Sequence, residues 1–76
     1  MNNTRRKQIR KAIEALHPIY EDVNAIAEQE EESFDSLPES LQESERGEKM
    51  QEAAENLYEA VDMLDEAMNA LESAAE

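Results

Sequence analysis

Residues 50–75, MQEAAENLYEAVDMLDEAMNALESAA, decide the fold. Met50, Leu57, Leu64 and Leu71 recur every seven residues. Ala53, Ala60, Ala67 and Ala74 follow three residues later, and Ala54, Val61, Met68 and Ala75 form the next column. At about 3.6 residues per turn these are the a, d and e positions of one helical face. A half-buried strand would need alternation with period two, and none persists. The same three columns occur upstream in Ile9, Leu16 and Val23, in Ala12, Ile19 and Ile26, and in Ile13, Tyr20 and Ala27. The chain therefore reads as two amphipathic helices.

Working outward, helix one is predicted over residues 4–32, with Asn3 or Thr4 as its cap. Pro18 lies inside it and removes a backbone donor, so a kink, or a break into two helices, is expected there. A connecting segment covers residues 33–43. It contains Ser36 with Glu39 and Ser40 with Glu43, two capping-box spacings that allow a short separate turn. Phe34, Leu37 and Leu41 are expected to plug that end of the core. Helix two is predicted over residues 44–75, with Gly47 a weak point in its first turns. Two helices of about 45 Å joined by so short a link must lie antiparallel. The fold class is all-α, an antiparallel helical hairpin in one domain, residues 1–76. The all-Ala column at 53, 60, 67 and 74 is expected to allow close approach. A three-column stripe is more than one neighbouring helix covers, and cores this small rarely supply more than about 3–5 kcal/mol. A homodimeric four-helix bundle would close the stripe; a monomer split into three helices at Pro18 is the rival.

The chain of 76 residues holds 20 acidic and seven basic side chains, a formal net charge of −13. That field repels nucleic acid and anionic lipid, and it selects a partner with a basic surface. Neither direct nucleic-acid binding nor membrane association is expected. There is no cysteine, which excludes disulfide and thiolate chemistry. No apolar run approaches the roughly 20 residues of a membrane span. Arg5, Arg6, Lys7, Arg10 and Lys11 resemble the basic start of a signal peptide, yet no apolar stretch follows them. An intracellular, soluble chain is expected. Residues 1–20 carry net +4 and residues 21–76 net −17, so folding back would lay the basic start beside Asp65, Glu66, Glu72 and Glu76, and Glu30, Glu31 and Glu32 beside Arg46 and Lys49.

One pattern bears on function. Glu45, Glu48, Glu52, Glu55, Glu59, Asp62 and Glu66 alternate spacings of three and four along helix two, filling the c and f positions. Neighbours fall about 4.5–6 Å apart along the axis, comparable with the phosphates of a nucleic-acid strand. Like charges at these spacings cost on the order of 0.2–0.5 kcal/mol per pair, and only Arg46 and Lys49 lie nearby to relieve them. The row is a candidate partner-binding surface that imitates phosphates; the bland reading is a solvated face. His17 has no second His or Cys to share a zinc ion. No EF-hand loop, Gly-rich phosphate loop or Glu-x-x-His pair occurs. The serines have no base in reach, and Met63 is the one methionine expected at the surface. No catalytic residue, metal site or cofactor is expected, so the chain is not an enzyme.

The stretch FDSLPESLQESERGEKMQEAAENLYEAVDMLDEA, with the opening TRRKQIRKAIEAL, resembles small acidic helical proteins encoded by prophages and other mobile elements of Gram-positive bacteria. The resemblance implies residence in the cytoplasm of a bacterial host. That group has no established activity, so the resemblance supplies context: small acidic proteins of mobile elements are often inhibitors of host defence enzymes that grip DNA or RNA, and such inhibition of a defence enzyme or regulator is the expectation. The alternative is a small structural or assembly bundle acting through its apolar stripe.

Overall fold

The first helix starts where Asn2 leaves extended backbone and its side chain accepts a hydrogen bond from the Arg5 N–H at 2.8 Å. In the computed structural model, which describes residues 1–76, α1 spans Asn3–Asp35, α2 Glu39–Gln42 and α3 Glu45–Ala74. There is no strand. Asn2 is thus the cap in place of Asn3 or Thr4, and α1 runs three residues beyond the predicted end. The extension has a packing cause. Phe34 continues the buried column of Ile13, Tyr20 and Ala27 by one more heptad, so keeping the helix going keeps its ring half-buried. Helix α1 also runs through Pro18 as one element, so the three-helix alternative split there does not occur. Pro18 and Glu14 are both exposed, and the Glu14 carbonyl that loses its partner faces water.

Serines shape the connector differently from the predicted capping boxes. Ser36 closes α1, its hydroxyl donating to the Glu32 carbonyl at 2.9 Å. The single-turn α2 opens at Pro38 with no side-chain cap. Ser44 caps α3, accepting from the Gly47 N–H at 3.3 Å while its hydroxyl donates to the Leu41 carbonyl. Gln42 reaches back, its Nε2 donating at 3.1 Å to the Phe34 carbonyl, which also accepts from the Leu37 N–H at 3.0 Å. Leu37 is half-buried at this end, but Leu41 is 41% exposed and does not plug the core.

Helices α1 and α3 pack side by side along a body 58 × 15 × 12 Å. Only two of the three predicted columns meet across the seam. On α1 these are the a column of Ile9, Leu16 and Val23 and the e column of Ile13, Tyr20 and Ala27. On α3 they are Met50, Leu57, Leu64 and Leu71 with Ala54, Val61 and Met68. The d column lies at the edge of the seam. Ile19 and Ile26 are 48% and 50% exposed, Ala67 and Ala74 are exposed, and Ala53 and Ala60 are half-buried. The expected all-Ala line of closest approach is therefore a flank. Close approach comes instead from small residues of the e column: Ala27 is 0% exposed, and Ala54 and Gly47 are buried. Just six residues of 76 are buried, a core as thin as the two-helix layer predicts.

Gly47 is not a weak point. A β-carbon there would fall against the main-chain carbonyls of Leu41 and Gln42, so glycine lets α2 fold tightly over the start of α3. Exposed Gly→Ala changes inside helices usually stabilise by roughly 0.5–1 kcal/mol. Gly47→Ala should do the opposite and cost about 1–3 kcal/mol, since rigid backbone must move to admit a methyl group. Urea unfolding of the two proteins checks this, and a more stable variant would contradict the close approach.

Candidate functional site

Because the seam uses columns a and e, the c and f columns form the outer spine of each helix. All seven carboxylates, Glu45, Glu48, Glu52, Glu55, Glu59, Asp62 and Glu66, are exposed along that spine of α3. From Glu45 to Glu66 the row runs about 32 Å at 1.5 Å per residue. The single ion pair within 4 Å in the whole chain lies at its start, Lys49 Nζ to Glu45 Oε1 at 3.2 Å. Both side chains are largely in solvent, 74% and 83% exposed, so the pair neutralises little. Glu45 and Glu48 also occupy the first turn of α3, where negative charge is favoured by the exposed N–H groups. That gives two of the seven a local structural role. The remaining five receive no such compensation.

Sequence reading missed that α1 adds to this field. Glu21, Glu28, Glu32 and Asp35 are exposed on its own outer columns, and heptad spacing was the signal that could have found them. The half of the hairpin nearest the connector, residues 24–52, holds ten acidic side chains and two basic ones. The opposite end combines the five cations of residues 5–11 with four carboxylates of residues 65–76.

Two faces separate these spines. In an antiparallel pair the same heptad letter lies on the same side of both helices, and the contacts follow that rule. On the b and f side, Arg10, Glu14 and His17 share a shallow depression with Glu72 and Glu76. On the d and g side, Gln29 and Ser33 face Arg46 and Met50. The antiparallel fold thus brings Arg10 towards Glu72 and Glu76, and Glu30 towards Arg46 and Lys49, but no ion pair joins the two helices. None of the cations at Arg5, Arg6, Lys7, Arg10 and Lys11 has a carboxylate within ion-pair distance, and Arg6 donates to Asn3 Oδ1 at 3.1 Å. The predicted pairing with the acidic end of α3 is absent because these long side chains extend into water, where an exposed pair gains little over two hydrated ions.

Tyr58 marks the one polar contact across the seam on the b side. Its hydroxyl donates toward the Glu31 carboxylate; that contact, with partial desolvation and the charges of Glu31 and Glu28, pushes its pKa up to about 12. His17 is exposed, Met63 is exposed, and Met50 and Met68 lie in the seam. No three His, Cys, Asp or Glu side chains converge on a point that would hold a metal ion. No helix is long and apolar enough to cross a membrane. Comparison with family models, with curated proteins and with solved structures returns no match.

The tyrosine contact yields a prediction. In a Tyr20→Phe background, the ultraviolet titration of Tyr58 should centre near 12, and Glu31→Gln should bring it back towards 10. The folded-state pKa is raised, so the stability it contributes is intact below pH 10 and is lost as pH rises from there through 12. A midpoint unmoved by Glu31→Gln would remove the contact.

Proposed function

We propose that this chain is a non-enzymatic acidic binding protein whose outer spine on α3 occupies the basic groove of a protein that holds DNA or RNA. One observation carries the reading: seven solvent-exposed carboxylates in a straight row, relieved by a single exposed ion pair. A helix that needed only solubility would interleave lysine and avoid the repulsion. Here the repulsion is retained, and a rigid rod of regularly spaced negative charge is what a phosphate-binding groove recognises. The resemblance to small acidic proteins of prophages and mobile elements fits this reading. It makes the partner a host defence protein or regulator and the bacterial cytoplasm the place of action. A bend of α1 at Pro18 and a homodimeric four-helix bundle belong to the same reading, the second because six buried residues are few for a free-standing domain.

A second reading has its own observation. Ile19, Ile26 and Met63 are each about half exposed on one side of the hairpin, so an assembly module acting through that side is the alternative. The two readings separate by mutation. Replacing Glu52, Glu55, Glu59 and Asp62 with Lys should abolish capture of the partner from a bacterial lysate and leave helicity unchanged. All four side chains point away from the seam. Binding by the unaltered chain should weaken steeply with salt, and DNA or RNA should compete with it for the captured protein. Tolerance of the four reversals, with loss of binding on Met63→Glu, would favour the assembly reading. Simultaneous binding of nucleic acid and this chain by one partner, with neither affecting the other, would rule out mimicry.

A further inference from the structure

The d and g side of the hairpin differs from every other surface. From Ala53 to Ala74, α3 presents only alanines, Asn56 and Met63 to this side; between Gln8 and Ser33, α1 presents one charge, Asp22. Ile19, Ile26 and Met63 stand 48%, 50% and 58% exposed along it. In a chain of 76 residues with 27 charged side chains, a surface strip this long that carries only Asp22 is a place where water is poorly accommodated. The strip runs about 37 Å along α1, a 25-residue run at 1.5 Å per residue, on a body 15 Å by 12 Å across. The acidic spine lies on the outer columns of the same helix and stays clear of it.

We infer that this face is covered by a second copy of the chain, laid antiparallel so that α1 crosses α1 and α3 crosses α3 about a two-fold axis at mid-helix. This deepens the dimer reading by naming its surface and orientation, and it does not depend on the acidic spine being functional. Charge sets both the occupant and the direction. A partner for α1 must meet five unpaired cations at its start and the carboxylates Glu28, Glu30, Glu31, Glu32 and Asp35 at its end. An antiparallel α1 presents the complement at both ends. With the crossing near Ile19, Arg5 and Lys11 come alongside the stretch around Glu32 of the second copy. A parallel arrangement would superpose the two connector ends, each with ten acidic and two basic side chains, and is disfavoured by repulsion. The small residues of the d column then let the layers approach closely, which explains why a flank is built of alanine.

Sedimentation equilibrium tests the face. The chain should have twice its 8.7 kDa mass at micromolar concentration. Ile19→Glu with Met63→Glu should raise the dimer dissociation constant about 100-fold or more, because each copy would bury carboxylates without partners. If that variant loses its helicity as well, the unaltered chain decides. Its melting temperature should rise with protein concentration if folding and pairing are coupled, and Asn69→Glu, on the outer side of α3, should leave the dimer intact. Orientation is read from spin labels at Glu32→Cys, exposed on the outer side of α1. The antiparallel dimer places them about 40 Å apart, twice the 13-residue run from Ile19 at 1.5 Å per residue. A distance below about 25 Å, the thickness of two helical layers, would overturn the orientation. A dimer indifferent to the two glutamates would overturn the face and leave dimerisation standing. A chain monomeric at every concentration would overturn both and assign the face to a different protein.

Discussion

Two α-helices lying side by side have room between them for two columns of side chains from each, and this molecule has three apolar columns on each helix. The seam takes a and e, which brings Ala27 and Ala54 to the closest approach and buries Val61 and Met68 along with them. Column d is left over, and with it the exposed Ile19 and Ile26. Ala27 on α1 and Ala54 on α3 are the small buried residues of this seam, and the larger side chains of both columns fill it on either side of them. The acidic spine on α3, the uncharged face and the side-chain contact of Tyr58 with Glu31 all take their positions from this choice.

Much of the architecture was legible in the residues. Heptad spacing located both helices, the short connector required antiparallel packing, and Met63 was placed at the surface correctly. The register of the seam was not legible, because periodicity identifies a stripe and cannot say which two of three adjacent columns a single neighbour will cover. The connector was misread for a related reason. Ser36 and Ser40 have capping-box spacing, but Ser36 is drawn to the end of α1 by the burial of Phe34, and Pro38 takes the opening of α2. Gly47 looked weak by intrinsic propensity; the approach of the Leu41 and Gln42 carbonyls, invisible without the fold, reverses its meaning.

Electrostatics divides along the same lines. The exposure of the seven carboxylates was predictable from the c and f spacing. The unpaired state of the five N-terminal cations was not, since antiparallel folding does bring Arg10 towards Glu72 and Glu76. Proximity of exposed charges is a weak constraint on long side chains. The separation of these cations from the connector's carboxylates makes the hairpin an asymmetric charge distribution.

The claim on which the account rests is that the e column, and not its neighbours, is buried in the seam. The chain has no cysteine, so single thiols can report on it directly. Alkylation rates should be compared for Ala25→Cys, on the outer spine of α1, and Ala27→Cys, two residues on and 0% exposed. The account predicts free reaction at 25 and reaction at 27 slower by about 100-fold or more, limited by opening of the helix pair. Equal rates at the two positions, or protection at 25, would contradict the seam.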